Sequence, residues 1–132
     1  MTRSEVPGFL ALARKDLGVA GELHAGHGRA AAFRLQQAAE KLIKAVLTLE
    51  GIAFPRRHQL GALAALLPEE HAWRADLMAL DHPTSHATAL RCPLPGGGLP
   101  MAPAQADLAA SLRRVAVLLD ALEPWCRARL PG

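Results

Sequence analysis

The 132-residue sequence contains no tyrosine, two cysteines, two tryptophans and three phenylalanines. Aromatic and β-branched residues favour strands, so their scarcity beside abundant alanine and leucine argues against a sheet protein and favours helix. Two isolated cysteines cannot form a disulfide framework. We therefore expect Cys92 and Cys126 to be free thiols in partly buried positions.

Long hydrophobic runs are also missing. No apolar stretch approaches the roughly 20 residues that span a bilayer, and the first seven residues lack the apolar core of a signal peptide. We expect a cytoplasmic protein with no membrane contact. The net charge of +3 is compatible with an anionic partner, although charge alone favours an ordinary solvated surface. The length predicts a single domain over residues 1–132.

Apolar residues recur at intervals of three and four along most of the chain, which predicts helices. The predicted helices are Ser4–Leu23, Arg29–Glu50, His58–Leu67, one that begins near Glu69, and Pro103–Leu122. Pro124 is expected to end the last helix, and the Pro- and Gly-rich segment 92–103 is expected to be a loop. Short connections between long amphipathic helices predict an all-α fold, an antiparallel up-and-down bundle of four to five helices.

The second predicted helix carries the clearest pattern, and Gly51 is expected to end it at the C′ position. Its buried stripe is predicted to be Leu35, Ala38, Leu42, Val46 and Leu49. The opposite face carries Arg34, Gln37, Lys41, Lys44 and Thr48. Residues at this spacing can direct several hydrogen-bond donors at one phosphate. A solvated face with an ordinary Glu40–Lys44 ion pair has the same pattern. Asp16, on the first helix, is expected to pair with Lys41 or Arg34.

Other constellations of reactive residues are weaker. His82 and His86 lie near Cys92 with a spacing that can bind zinc. However, Pro83 disturbs the helix that this spacing requires, and no fourth ligand lies in register, so we expect no metal and no other cofactor. The sequence contains no nucleophile elbow, P-loop or dinucleotide fingerprint.

Four segments together resemble one known family. The run Gln36–Leu47 resembles the signature helix of HEPN domains (higher eukaryotes and prokaryotes nucleotide-binding). Phe9–Leu17 resembles the aromatic and Ala-x-x-Asp-Leu pattern of the family's first helix, and Gly51–Leu60 resembles its Gly-x-x-x-Pro-basic-x-His turn. Ala89–Pro93 resembles its Ala-Arg-Tyr-Pro ending, with cysteine in place of tyrosine. The resemblance covers about residues 9–93.

The resemblance implies a helical bundle that is commonly a homodimer and has a nucleotide-related role. Many members are encoded with a minimal nucleotidyltransferase, as a toxin–antitoxin pair or a two-component transferase. The family's Gln and Lys positions coincide with Gln37 and Lys41. The nucleotide-binding residues expected from the pattern and the resemblance are Gln37, Lys41, Lys44, Arg34 and Arg91.

Other family members are metal-independent ribonucleases with an Arg-x(4–6)-His motif, which this sequence does not match. Arg74 precedes His82 by one residue too many, and His86 and Arg91 occur in the reverse order. We therefore expect a non-catalytic module that binds a nucleotide or RNA phosphate and acts with a nucleotidyltransferase partner. The alternatives are a ribonuclease that uses His86 and Arg91, and a purely structural dimer with no ligand.

Overall fold

The computed structural model describes residues 2–56, 59–81 and 104–131, and these ranges contain helices and no strand. A 3₁₀ turn at Arg3–Glu5 precedes the α-helices of the described ranges. These helices are α1 (Val6–Leu23), α2 (Gly28–Leu49), α3 (Leu60–Ala64), α4 (Arg74–Met78) and α5 (Gln105–Ala128). The all-helical fold predicted from the composition is confirmed. The predicted loop at 92–103 lies outside the described residues.

The end of α2 has the geometry that the sequence predicts. Gly51 adopts a left-handed φ of 73° immediately after the last residues of the helix. The Gly51 N–H donates to the Thr48 carbonyl at 3.1 Å, and the Ile52 N–H donates to the Leu47 carbonyl at 2.9 Å. This pair of bonds is a Schellman motif, in which glycine avoids the steric cost that a Cβ would add. It turns the chain sharply at the end of α2.

Helix α2 contributes more buried residues than any other described helix. All members of its predicted stripe are buried, and Ile43 and Leu47 are fully buried beside them. The alanines at 31, 39 and 45 are fully buried as well, and small side chains allow neighbouring helices to approach closely. Helix α1 packs along α2 more extensively than any other described helix does. The core therefore surrounds α2 on most sides.

Three long-range contacts define the directions of the long helices. The Arg3 side chain donates to the Leu49 carbonyl at 2.9 Å, so the start of the chain lies beside the end of α2. Arg14 pairs with Asp120 at 2.8 Å, whereas the His24 ring lies 3.3 Å from the Gln105 carbonyl. Helix α1 therefore runs antiparallel to both α2 and α5.

Helix α5 continues past Pro124, and the prediction that this proline ends the helix is wrong. Proline removes one backbone N–H, which leaves the carbonyl of residue 120 without its helical partner. Both Asp120 and Pro124 are exposed, so water can hydrate that carbonyl at low cost. Beyond the proline, Cys126 is fully buried and the Trp125 ring packs edge-on against Trp73, with ring centroids 6.1 Å apart. These contacts stabilise the last turn.

We expect Pro124→Ala to raise the free energy of unfolding by about 1–2 kcal/mol. The change restores a helical hydrogen bond and removes a proline, which costs about 3 kcal/mol in a helix interior. Part of this gain is offset because the unfolded chain becomes more flexible without the proline. Chemical denaturation of the two proteins measures the difference. Pro7→Ala is the matched control, because Pro7 lies in the first turn of α1, where proline is compatible with the helix. A loss of stability in Pro124→Ala would contradict this account.

The two short helices differ from their predicted bounds. Helix α3 covers only Leu60–Ala64, because i→i+3 bonds from Leu66 and Leu67 tighten the chain before Pro68. The next predicted helix begins at Arg74 rather than near Glu69. The Trp73 N–H donates to the His71 ring at 3.2 Å, and this side-chain bond replaces a backbone bond that an earlier start would need. His58 lies outside the described residues.

Leu77 and Leu80 are buried, and Trp73 is partly buried. Within the described ranges, no helix has both the length and the apolar character needed to cross a membrane.

Candidate functional site

The N-terminal half of α2 carries an ion pair to α1. Arg34 Nη1 lies 3.3 Å from Asp16 Oδ1. Asp16 is buried, and a buried carboxylate needs a compensating cation or hydrogen bond. The expectation that Asp16 pairs with a cation of α2 is confirmed, and the cation is Arg34 rather than Lys41. This contact fixes the start of α2 against α1.

Two lysines on neighbouring turns share one carboxylate further along α2. Lys41 Nζ lies 3.6 Å and Lys44 Nζ lies 3.7 Å from Glu40 Oε2, which includes the predicted Glu40–Lys44 pair. Both distances exceed hydrogen-bond length, so Glu40 attracts the two ammonium groups without taking up their N–H donors. The lysine side chains are 22% and 16% exposed, respectively. Two cations are thus held close together in a partly desolvated position.

The chain after α2 folds back over Lys44. The Lys44 Nζ lies 5.4 Å from the centroid of the Phe54 ring, within the range of a cation–π interaction. Phe54 was not among the residues expected at the site. The signal for it was the C′ glycine at position 51, because a sharp turn after a helix returns the next residues toward the last turns of that helix. Phe54 covers one side of Lys44 and limits its rotamers.

The polar face of α2 is narrower than the sequence suggests. Thr48 is buried, and its hydroxyl has no hydrogen-bond partner among the described residues, so the expectation that it lies on this face is wrong. The reason is that Thr48 lies in the last turn of α2, where neighbouring parts of the fold enclose the helix on this side as well. The remaining members are Arg34, Gln37, Lys41 and Lys44, which we call the cationic face.

The cationic face suits an anion of limited size. Its three cations face two carboxylates, those of Asp16 and Glu40, which leaves one net positive charge. Lys41 and Lys44 are separated by about 4.5 Å along the helix axis, whereas Arg34 and Lys41 are separated by about 10 Å. One phosphate group can therefore reach both lysines. A second anionic group, further along the ligand, is needed to reach Arg34.

Of the other expected site residues, the structure describes Gln37. Gln37 is half-buried one turn before Lys41, on the cationic face. Arg91 and His86, together with the zinc candidates His82 and Cys92, lie outside the described residues. In residues 2–56, 59–81 and 104–131, no group of three or more His, Cys, Asp and Glu side chains lies close enough together to hold a metal ion.

Cys126 is a fully buried thiol at the end of α5. Burial raises its pKa from 9.0 to about 11, against the opposing effect of the nearby Arg129. A thiol with a raised pKa stays protonated at neutral pH and is a poor nucleophile. Cys126 is a free thiol, as expected, and it is fully rather than partly buried.

We expect Cys126 to resist Ellman's reagent at pH 8 in folded Cys92→Ala protein and to react in denaturant. Because the folded-state pKa lies above the unfolded value, the unfolded chain loses its thiol proton first as the pH rises. This thiol's contribution to the free energy of unfolding therefore falls between about pH 9 and pH 11. Denaturation curves of Cys126→Ala measured over that pH range should lack this part of the decrease in the free energy of unfolding. Rapid labelling of the folded protein would show that the thiol is accessible.

Comparison with known proteins identifies a family. The family model described as the HEPN domain matches residues 9–94, which is more than half of the chain. No match is found among curated proteins or among solved structures. The matched range includes most of α1, the whole of α2 and the turn after it, and therefore the entire cationic face.

Proposed function

This chain belongs to the HEPN domain family, and on that premise we propose that it binds a nucleotide or RNA phosphate on the cationic face of α2. Membership of the family indicates a nucleotide- or RNA-related function. In the proposed site, Lys41 and Lys44 bind one phosphate group and Gln37 donates from the preceding turn. Arg34 binds a second anionic group, and Arg91 is a further proposed ligand.

The lysine pair is the observation that supports this proposal most strongly. Two ammonium groups on successive turns converge on a single carboxylate, and neither separation is a hydrogen bond. Bringing like charges together is costly, and Glu40 offsets that cost in the free protein. A phosphate that enters between the lysines accepts charge-assisted hydrogen bonds from donors that are already positioned. Partial burial strengthens these bonds because water screens them less.

We further propose that the protein is a homodimer that acts with a nucleotidyltransferase subunit, as a toxin–antitoxin pair or a two-component transferase. The resemblance of α2 and its flanking segments to the family's pattern supports this proposal. Catalysis would then reside in the partner, and the present chain would supply a phosphate site.

The function is tested by titrating the purified protein with ATP, GTP and a short labelled RNA while both binding and RNA length are measured. We expect saturable binding with intact RNA. Shortened RNA that persists in EDTA and disappears in His86→Ala would instead identify a metal-independent ribonuclease. If millimolar nucleotide leaves the melting temperature unchanged and RNA does not bind, the protein is a structural module and the proposal fails.

Glu40→Gln should tighten ATP binding by roughly threefold to tenfold. The change removes the negative charge nearest to both lysines while it keeps a side chain of the same size, so the site becomes more positive. Isothermal titration calorimetry measures the effect. Glu22→Gln is the matched control, because Glu22 is exposed in the last turn of α1, next to the start of α2, and should leave the affinity unchanged. Weaker binding in Glu40→Gln would show that the lysine pair does not hold the phosphate.

A further inference from the structure

Phe54 is an aromatic residue that the chain places beside the cationic face. Its ring is partly buried against the core, and the ring centroid lies 5.4 Å from Lys44 Nζ. Its neighbours in the sequence, Ala53 and Pro55, are both exposed. The ring is therefore anchored on the core and also reaches the surface next to the lysine pair. Glu40 already lies beside Lys44, so the need for a lysine partner does not by itself account for the ring.

The backbone on both sides of Phe54 suits a fixed platform. On one side, Ile52 packs against the core, and its N–H donates to the Leu47 carbonyl at 2.9 Å. On the other side, Pro55 fixes its own φ and restricts the backbone of the residue before it. A ring that is already positioned loses little conformational entropy when a ligand binds. Arg56, which is exposed two residues beyond Phe54, adds a cation to the same segment.

The distance between the Phe54 ring and the Lys44 ammonium suits a base that is joined to a bound phosphate. Offset-stacked rings have centroids about 4.5–7 Å apart, and the ammonium lies inside that range. A phosphate oxygen that accepts a hydrogen bond from the ammonium lies about 3 Å from it, so a base on the attached ribose can reach the ring. A cation–π contact at a partly exposed site is weak. The phosphate can therefore draw the ammonium away and leave the ring to the base.

We propose that Phe54 is the stacking platform for a nucleobase whose phosphate is bound by Lys41 and Lys44. This inference rests on the phosphate site proposed above, and it names the ligand class: a nucleoside phosphate with an unpaired base, from a free nucleotide or from single-stranded RNA. Stacking tolerates any base, because every base has a π-face. Bases inside a duplex are stacked on each other and do not reach the ring. The site therefore discriminates against bare polyphosphate and against duplex RNA.

Tripolyphosphate separates the contribution of the base from that of the phosphates. Calorimetry on the full chain compares tripolyphosphate with ATP, which has the same phosphates and adds adenosine. We expect ATP to bind at least fivefold more tightly, the lower end of what one stacked base contributes. A single-stranded oligoadenylate should bind more tightly than a duplex of equal length. Tighter binding of that single strand than of ATP would identify RNA as the source of the ligand, and the reverse order would identify a free nucleotide.

Two substitutions of Phe54 test the ring itself. Phe54→Leu keeps an apolar side chain on the core but removes the flat ring. It should weaken ATP binding at least fivefold and change tripolyphosphate binding less than twofold, and the retained tripolyphosphate binding shows that the variant is folded. Phe54→Trp keeps a flat ring and should bind ATP as tightly as the wild type. Its added fluorescence should be quenched by ATP and not by tripolyphosphate, with the wild-type signal of Trp73 and Trp125 as the background.

Three results would overturn this inference and leave the phosphate site in place. The first is wild-type protein that binds ATP and tripolyphosphate equally, and the second is duplex RNA that binds as tightly as the single strand. The third is Phe54→Leu protein that loses both ligands equally, which would show that the ring only positions Lys44. Wild-type protein that binds neither ligand would overturn the proposed function together with this inference.

Discussion

Leu42→Ala should lower the free energy of unfolding by about 3 kcal/mol, within the 2–5 kcal/mol typical of buried leucine truncations. Leu42 is fully buried in the middle of α2, the helix that the core surrounds. The change removes apolar contact and leaves a cavity, which packed helices can refill only in part. Urea denaturation followed by circular dichroism measures the loss.

Leu12→Ala is the matched control for this prediction. Leu12 lies on α1 and is 46% exposed, so the same truncation removes less buried surface there. We expect the control to change stability by about 0.5 kcal/mol or less. Equal effects at the two positions would contradict the placement of α2 at the centre of the core.

Replacing both Lys41 and Lys44 by Ala should weaken ATP binding by about tenfold to a hundredfold. A hydrogen bond to a charged group contributes about 1.5–3 kcal/mol, and loss of both ammonium groups also leaves Glu40 to repel the phosphate. The dependence of RNA affinity on salt should decrease in the double variant, because fewer counterions are released on binding. Titrations at two salt concentrations measure both effects.

Lys15→Ala is the control for nonspecific loss of charge. Lys15 is exposed on α1, so its removal changes the net charge by the same amount per lysine without changing the cationic face. We expect it to change ATP affinity less than twofold, since an exposed charge that does not contact the ligand is largely screened at physiological salt. If Lys15→Ala weakened binding as much as the loss of Lys41 or Lys44, the attraction would be general rather than local.

The long helices were predictable because each satisfies several local rules at once. Along α2, the apolar period, the absence of glycine and proline in the interior, and Gly51 at the C′ position agree, and the structure follows them. That Asp16 pairs with a cation was also predictable, since a carboxylate on a mostly apolar helix face needs a cation. The choice of Arg34 over Lys41 depended on the register between α1 and α2, which sequence spacing does not give.

The errors arose where tertiary contacts override local preference. Pro124 fails to stop α5 because its neighbours are exposed on one side and Trp125 and Cys126 pack on the other. Thr48 is polar, yet the fold encloses it at the end of α2. The start of α4 depends on His71, whose ring is fixed by Glu50 at 3.0 Å and accepts the Trp73 N–H.

The sequence predicted which residues share the cationic face but not the interactions among their side chains. Periodicity placed Gln37, Lys41 and Lys44 on one side of α2, but it did not indicate that the lysines share Glu40 or that Phe54 lies over Lys44. Both features depend on side-chain rotamers and on the turn after Gly51.

The central claim is that the cationic face of α2 binds phosphate. The most direct measurement is the change in backbone amide chemical shifts when ATP is added to ¹⁵N-labelled protein. The account predicts saturable shifts that are largest from Gln37 to Lys44 and at Phe54, and that are lost when Lys41 and Lys44 are replaced. Shifts that are absent at millimolar ATP, or that are confined to α5, would contradict it.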